Sequence, residues 1–364
     1  MNPDGSLRRG WTTGACATAA AKAAYAALLC GHFPDPVSIT LPRGGSAAFA
    51  LAENRLSGDT ALASIIKDAG DDPDVTHGAL VQAAVRLLPH GAGIQFRAGI
   101  GVGTITRPGL PLPPGEPAIN PVPREMIRTA LRELNPEPDA LVTLSIPDGE
   151  ALAAKTLNGR LGIVGGLSIL GTTGIVIPFS CAAWIDSIRR GIDVARATGH
   201  THIAGSTGRT SEEAVQKLHA LDEVALIEMG DFVGGMLKYV RVHPVPHVTI
   251  AGGIGKITKL AQGRLDLHSR RGAVDRAALA ALAMEAGTSA PQAERIEGAN
   301  TAAEAFALAA EEGIGLGNHV AARAWNVAAE ILRDTGISLE ILLFDTHGTL
   351  CGSTPMTPSR NRLG

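Results

Sequence analysis

Three stretches in the second half of the chain combine glycine with residues that hold small ligands: STGRTSEE at 206–213, MGDFVGGML from Met229 and AGGIGKITKLAQG from Ala251. Each follows a short apolar run rich in β-branched residues, THIAGS, EVALIEMG and PHVTIAGG, and each leads into a helix-like stretch. In doubly wound sheets ligands sit at the carboxyl ends of strands, where glycine lets main chain approach and helix N-termini offer N–H groups. Thr207 and Gly208 end the first run, Asp231 lies just past the second, and Gly252 and Gly253 close the third. An acidic side chain in the position of Asp231 commonly accepts two ribose hydroxyls. One such turn alone is ordinarily only turn geometry, but three on one sheet edge predict a cofactor site.

The familiar nucleotide fingerprints are absent. GGIGKI has a Gly-Lys pair without the earlier glycine or the following hydroxyl of a phosphate-binding loop, and neither GIGVG nor GIGLG has GxGxxG spacing. Cationic side chains fall beside glycine or proline loops rather than along helix stripes: Arg107, Arg124, Lys155, Arg160, Lys256, Lys259 and Arg264. Singly, each is ordinarily a solvated charge; as a set they suit a substrate bearing several carboxylates. His243, His247 and His268 have no paired-ligand spacing, so no protein-held metal is expected.

The elements that must position these residues read in two grammars. WTTGACATAAAKAAYAALL, capped by hydroxyls and ending near Gly31, predicts a tightly packed helix. VSITL and SAAFALA read as strands, ALVQAAVRLL as a helix, and IQFRAGIGVGTITRPG as interrupted strand. PGLPLPPGEPAINPVP holds seven prolines in 16 residues and predicts a rigid loop before the helix PREMIRTALREL. This α+β half is assigned residues 1–190, with SCAAWIDSIRRGIDVARATG as the junction. From there the alternation of strand, glycine turn and helix, with LEILLFD as a late strand, predicts an α/β domain with a small parallel sheet over 191–353. A frayed tail is expected over 354–364.

The chain has 364 residues, 45% of them hydrophobic, which suffices for two cores. Lys+Arg 32 against Asp+Glu 35 argues against a nucleic-acid partner, and 44 glycines with only 3% aromatics argue for ligands gripped by main chain. The start MNPDGSLRRG lacks a secretory stretch, and four scattered cysteines suit a reducing cytoplasm. The uncharged run 161–185 is long enough to cross a bilayer, but its glycines and Pro178 predict buried strand and loop, so no membrane partner is expected.

Longer strings carry a resemblance. RRGWTTGACATAAAKAA, GVGTITRPGL, GEPAINPVPREMI, KTLNGRLGIVGGLSILGTTGIV, GDFVGGMLK and AGGIGKITKLAQGRLDLHS, in that order, resemble the cobalt-precorrin-5B C(1)-methyltransferase family over nearly the whole length. Ala15 and Phe179 depart from the family, where a hydroxyl residue and methionine are usual. The resemblance implies a permuted ribosomal S5 domain 2-like unit followed by a Rossmann-like one. It also implies transfer of a methyl group from S-adenosyl-L-methionine to carbon 1 of cobalt-precorrin-5B, giving cobalt-precorrin-6A in anaerobic cobalamin biosynthesis. Cobalt arrives with that corrinoid substrate, and the oligomeric state is left open, a homo-oligomer included. The resemblance carries no assigned catalytic residues. On their loop positions Glu116 and Asp231 are candidate bases, Thr207, Gly208, Asp231, Gly252 and Gly253 the cofactor site, and Thr13, Asn120, Thr172 and Thr173 join the seven cations as candidate corrinoid contacts. A tetrapyrrole carrier and a small-molecule kinase of S5-like topology are the alternatives.

Overall fold

The computed structural model describes residues 6–359, and the chain divides into two compact units, Met1–Cys181 and Ala182–Gly364. The division precedes residue 190 because the helix Cys181–Ala197 packs with the second unit. Its Asp193 accepts hydrogen bonds at 2.9 and 2.8 Å from the hydroxyl of Tyr239, whose pKa burial and this carboxylate push up to about 12.

In the first unit the helix Thr13–Cys30 is the centre of the core. Its nine alanines are all buried, because the strands Thr60–Ile66 and Leu80–Leu87 and the helix Pro121–Arg132 pack closely around it. Alanine permits that approach from several sides at low side-chain entropy. The Thr12 hydroxyl caps the first turn and Gly31, in the left-handed conformation at φ 78°, ends the last. This helix is long and apolar enough to cross a membrane, and 78% of its residues lie buried in the protein interior.

The main sheet runs Glu53–Ser57, Thr60–Ile66, Leu80–Leu87, Ala140–Ser145, Ile94–Ala98, antiparallel except for the last pair. The stretch read as a helix, ALVQAAVRLL, is thus a central strand. Val81, Ala83 and Val85 are buried while the residues between them are only partly so, a period of two that an alanine-rich run disguises. The uncharged run at 161–185 resolves into the short strands Ile163–Val164, Gly166–Leu167 and Ile175–Val176 and the start of the junction helix.

The second unit has a parallel sheet in the order Leu226–Glu228, His202–Ser206, His247–Gly253, Ser338–Phe344, edged by antiparallel Leu350–Ser353. Successive side chains point to opposite faces. Ala204 and Ala251 pack with Val215 of the helix Arg209–His219, whereas a Cβ at Gly205 or Gly252 would strike Met236 of Val233–Val242 or Ile257 of Ile254–Ala261. The expected tail is not frayed through residue 359: Thr357–Pro358 pairs with Ser338–Phe344, and the Ser359 hydroxyl donates to the Leu332 carbonyl at 2.9 Å. Residues 360–364 lie outside the described residues.

Three glycines lock the loops of the first unit together. A Cβ on Gly101 would lie 1.9 Å from the Ile146 carbonyl oxygen, one on Gly149 2.1 Å from the Gly101 oxygen, and one on Gly166 2.2 Å from the Gly101 carbonyl. Gly149→Ala is therefore expected to destabilise the protein by about 3 kcal/mol, the upper end for over-packing, measured by urea unfolding.

Candidate cofactor and substrate site

The strand His202–Ser206 sits between its sequence successor Leu226–Glu228 on one side and His247–Gly253 on the other. The chain leaves the first strand into Arg209–His219 on one face, and leaves the third into Ile254–Ala261 on the opposite face. Between these diverging connections a parallel sheet opens a crevice at the carboxyl ends of its strands. Thr207, Gly208, Gly252 and Gly253 lie at or just past the carboxyl ends of these strands. The Thr207 amide donates to the Ala251 carbonyl at 3.0 Å, which fixes the two turns side by side.

The crevice is polar and incompletely satisfied. Among the described residues, the Ser206 hydroxyl and Asp231 Oδ1 are two of three buried side-chain atoms without a hydrogen-bond partner. Lys256 Nζ donates to the Thr207 carbonyl at 2.7 Å and stands 3.1 Å from Asp231 Oδ1, near enough for charge attraction but outside hydrogen-bond geometry. Neither Gly208 nor Gly253 caps its helix with a side chain, so two helix N-termini present amides at this edge. Buried donors and acceptors left in this state cost stability unless a ligand meets them.

Two contributors escaped the reading of the sequence. Ser206 precedes the glycine turn and looks like ordinary strand. Trp184, on the junction helix, donates from its indole to the Glu228 carbonyl at 3.2 Å and lies against Gly230, beside Asp231. Trp184 is 43% exposed, and nothing in the sequence sets it apart from the other two tryptophans.

The candidate substrate residues of the first unit gather mostly at one set of loops. The Thr13 hydroxyl donates to the Leu170 carbonyl and accepts from its amide, both at 3.1 Å; the Asn120 amide donates to Ile169 at 3.0 Å, and the Thr12 amide to Gly174 at 3.0 Å. Helix start, proline loop and the 168–174 loop are thereby stitched together, carrying Thr172 and Thr173 with them. The Thr173 hydroxyl turns back onto the Ile175 carbonyl at 3.0 Å. Asn120 caps the helix Pro121–Arg132 by position only, with no side-chain cap bond.

The cations behave differently from free loop charges. Arg124 gives Nε to the Ile119 carbonyl at 2.8 Å and Nη2 to Glu116 at 2.8 Å and Pro117 at 3.1 Å, over the Phe96 ring. Arg107 donates to the Arg160 carbonyl at 2.9 Å and packs on Gly162. Lys259 reaches the Leu267 carbonyl at 3.0 Å, and Arg264 the Arg271 carbonyl at 2.9 Å. Lys155 is exposed in the turn after the helix Gly149–Ala153. Most of these cations therefore shape the loops they were expected to decorate.

The second unit is an α/β unit with buried polar atoms lacking hydrogen-bond partners at and just past the carboxyl ends of its parallel strands. Residues 1–178 match the CbiD family and residues 266–355 the CbiD C-terminal domain. The chain is 62% identical to the cobalt-precorrin-5B C(1)-methyltransferase of Agrobacterium fabrum, covering 99% of this chain and 96% of that one. It is 59% identical to that of Bradyrhizobium sp., over 95% and 93%. A solved cobalamin biosynthesis protein, CbiD of Archaeoglobus fulgidus, is 31% identical over 73% of this chain and 83% of its own, with a TM-score of 0.40. The chain belongs to the CbiD family.

Because Arg124 is committed to the loop that holds Glu116, Arg124→Met is expected to lower folding stability by about 1.5–3 kcal/mol, the range for hydrogen bonds to a charged group. Denaturant unfolding measures it; unchanged stability with a raised Michaelis constant would instead mark a contact made to substrate alone.

Proposed function

We propose that the protein transfers a methyl group from S-adenosyl-L-methionine to carbon 1 of cobalt-precorrin-5B, in the cytoplasm, as a step of cobalamin biosynthesis. The near full-length relatives carry that methyltransferase name, and the observation that supports a cofactor site in this chain is the crevice with its orphaned Ser206 hydroxyl and Asp231 oxygen. We read the first unit as S5 domain 2-like and the second as Rossmann-like, the latter for its parallel strand order and its switch point.

The donor set suits this cofactor. Asp231 would accept from ribose hydroxyls, Ser206 and the uncapped amides after Gly208 and Gly253 would meet its polar edge, and Gly252 leaves room that a Cβ would take from Thr207 and Ile257. Bound there, S-adenosyl-L-methionine supplies an activated methyl on a sulfonium. The chain's own work is then chiefly to hold and orient, which for a pre-activated donor accounts for much of the rate. Lys256 holds Asp231 in place and ties the third strand's helix to Thr207.

The stitched loops of Thr13, Asn120, Thr172 and Thr173 form the proposed corrinoid wall, with Arg107, Arg160 and Lys155 as neighbouring cations for its carboxylate arms. Glu116, held by Arg124, is the proposed proton acceptor if the macrocycle must lose one. The substrate brings its own cobalt, so this step needs no metal held by the protein.

Calorimetry with S-adenosylhomocysteine tests the reading. Asp231→Ala is expected to weaken binding by about 1.5–3 kcal/mol, and Ser206→Ala by about 0.5–1.5 kcal/mol without loss of folding stability, since it removes an unpaired hydroxyl. An unchanged dissociation constant in both variants would remove the cofactor from this crevice. A chain that bound the corrinoid but no S-adenosylhomocysteine would be a carrier.

A further inference from the structure

The opposite, amino ends of the same parallel strands carry a second polar cluster that has no part in the proposed methyl transfer. His202 opens its strand, Thr249 lies on the neighbouring strand His247–Gly253, Glu340 lies on Ser338–Phe344 beyond it, and His219 ends the helix Arg209–His219 that runs back over this face. The register sets Ala204, Thr249 and Glu340 in one row, so His202, two residues before Ala204, shares their face. His219 Nε2 lies 2.7 Å from Glu340 Oε2, the Thr249 hydroxyl donates to the same oxygen at 2.8 Å, and His202 Nε2 lies 2.8 Å from that hydroxyl. The two imidazole rings meet edge-on with centroids 4.9 Å apart.

A glutamate in the middle of a sheet needs a reason. Glu340 is 8% exposed, and among the described residues its ion-pair partner is His219, not a lysine or arginine. Burying a carboxylate beside neutral groups is costly unless a positive charge joins it. The donor atoms of His202, His219 and Glu340 all lie within 4.8 Å of one another, and two imidazoles with one carboxylate are the ligand set of borderline divalent ions, leaving a fourth position for water.

We propose that His202, His219 and Glu340 bind one zinc-like divalent cation, which ties the end of the Arg209–His219 helix to two strands of the sheet. Binding replaces the contact between His219 and Glu340 with two metal bonds; each imidazole then ligates through Nε2 and keeps one proton on Nδ1, and any further proton on His219 passes to solvent. Thr249 keeps its hydrogen bond to Glu340 and orients the carboxylate, as groups just behind metal ligands commonly do. His247, its ring 6.1 Å from that of His202, turns Nδ1 to the Thr201 carbonyl and stays outside the set. Sequence spacing hides such a site, because its ligands are separated along the chain and meet only through sheet register.

The test uses the full chain, stripped with a chelator and titrated with zinc chloride by calorimetry, and with cobalt(II) chloride by visible absorption. One equivalent of zinc is expected, with a rise in melting temperature, and cobalt(II) is expected to show the absorption of a tetrahedral site that zinc then displaces. His219→Gln and His202→Gln are each expected to weaken zinc binding at least tenfold and abolish the rise, while S-adenosylhomocysteine binding persists. Glu340→Gln disturbs a buried strand, so His219→Gln, on a partly exposed helix end, decides. Stoichiometric zinc binding unchanged in both histidine variants, or no saturable binding by the wild-type chain, would overturn the proposal.

Discussion

The candidate crevice depends on one constraint of chain routing. The connections from two adjacent parallel strands, His202–Ser206 and His247–Gly253, depart to opposite faces of the sheet. A sheet whose connections all departed to one side would close over its own strand ends. Here Thr207 and Gly252 meet edge to edge, Lys256 reaches across to the Thr207 carbonyl, and the Asp231 loop comes in from the far strand. The Ser206 hydroxyl has no hydrogen-bond partner there, and Asp231 Oδ1 has only the charge of Lys256 beside it. Their desolvation cost is offset when a polar ligand supplies the missing bonds.

The first unit reaches its geometry by close backbone contact rather than large side chains. The helix Thr13–Cys30 buries nine alanines, and Gly101, Gly149 and Gly166 bring three segments of main chain to distances that no Cβ would allow. Aromatic residues make up only 3% of the chain, so loop order rests on main-chain hydrogen bonds and on arginine and lysine side chains turned inward onto carbonyls. This is why the cations are poor witnesses to substrate charge. A guanidinium with several donors in a fixed fork is as well suited to tying a proline-rich loop as to binding a carboxylate.

Both ends of the second sheet carry polar groups, but they differ in how they are satisfied. At the carboxyl end Ser206 and Asp231 have side-chain oxygens without hydrogen-bond partners, and the helices that start after Gly208 and Gly253 have no side-chain cap. At the amino end His202, Thr249, Glu340 and His219 form a continuous chain of hydrogen bonds. The first arrangement leaves polar atoms without hydrogen-bond partners; the second is a continuous network containing two imidazoles.

The strands around Asp231 and the glycine turns were legible in the sequence because a parallel strand reads as a short apolar run and its exit as glycine, both local signals. The family resemblance was legible because long ordered strings survive without any knowledge of contacts. Local signals failed where alanine blurred the period, so that Leu80–Leu87 read as a helix until its pairing with two neighbours imposed alternation. They failed again at the chain's end, where Thr357–Pro358 is ordered by a partner strand and not by its own composition. The burial of Ser206, the approach of Trp184 to Gly230, the inward turn of Arg124 and the meeting of His202 with Glu340 were decided by tertiary structure alone. Each depends on strand order and register, which bring together residues that no spacing along the chain relates.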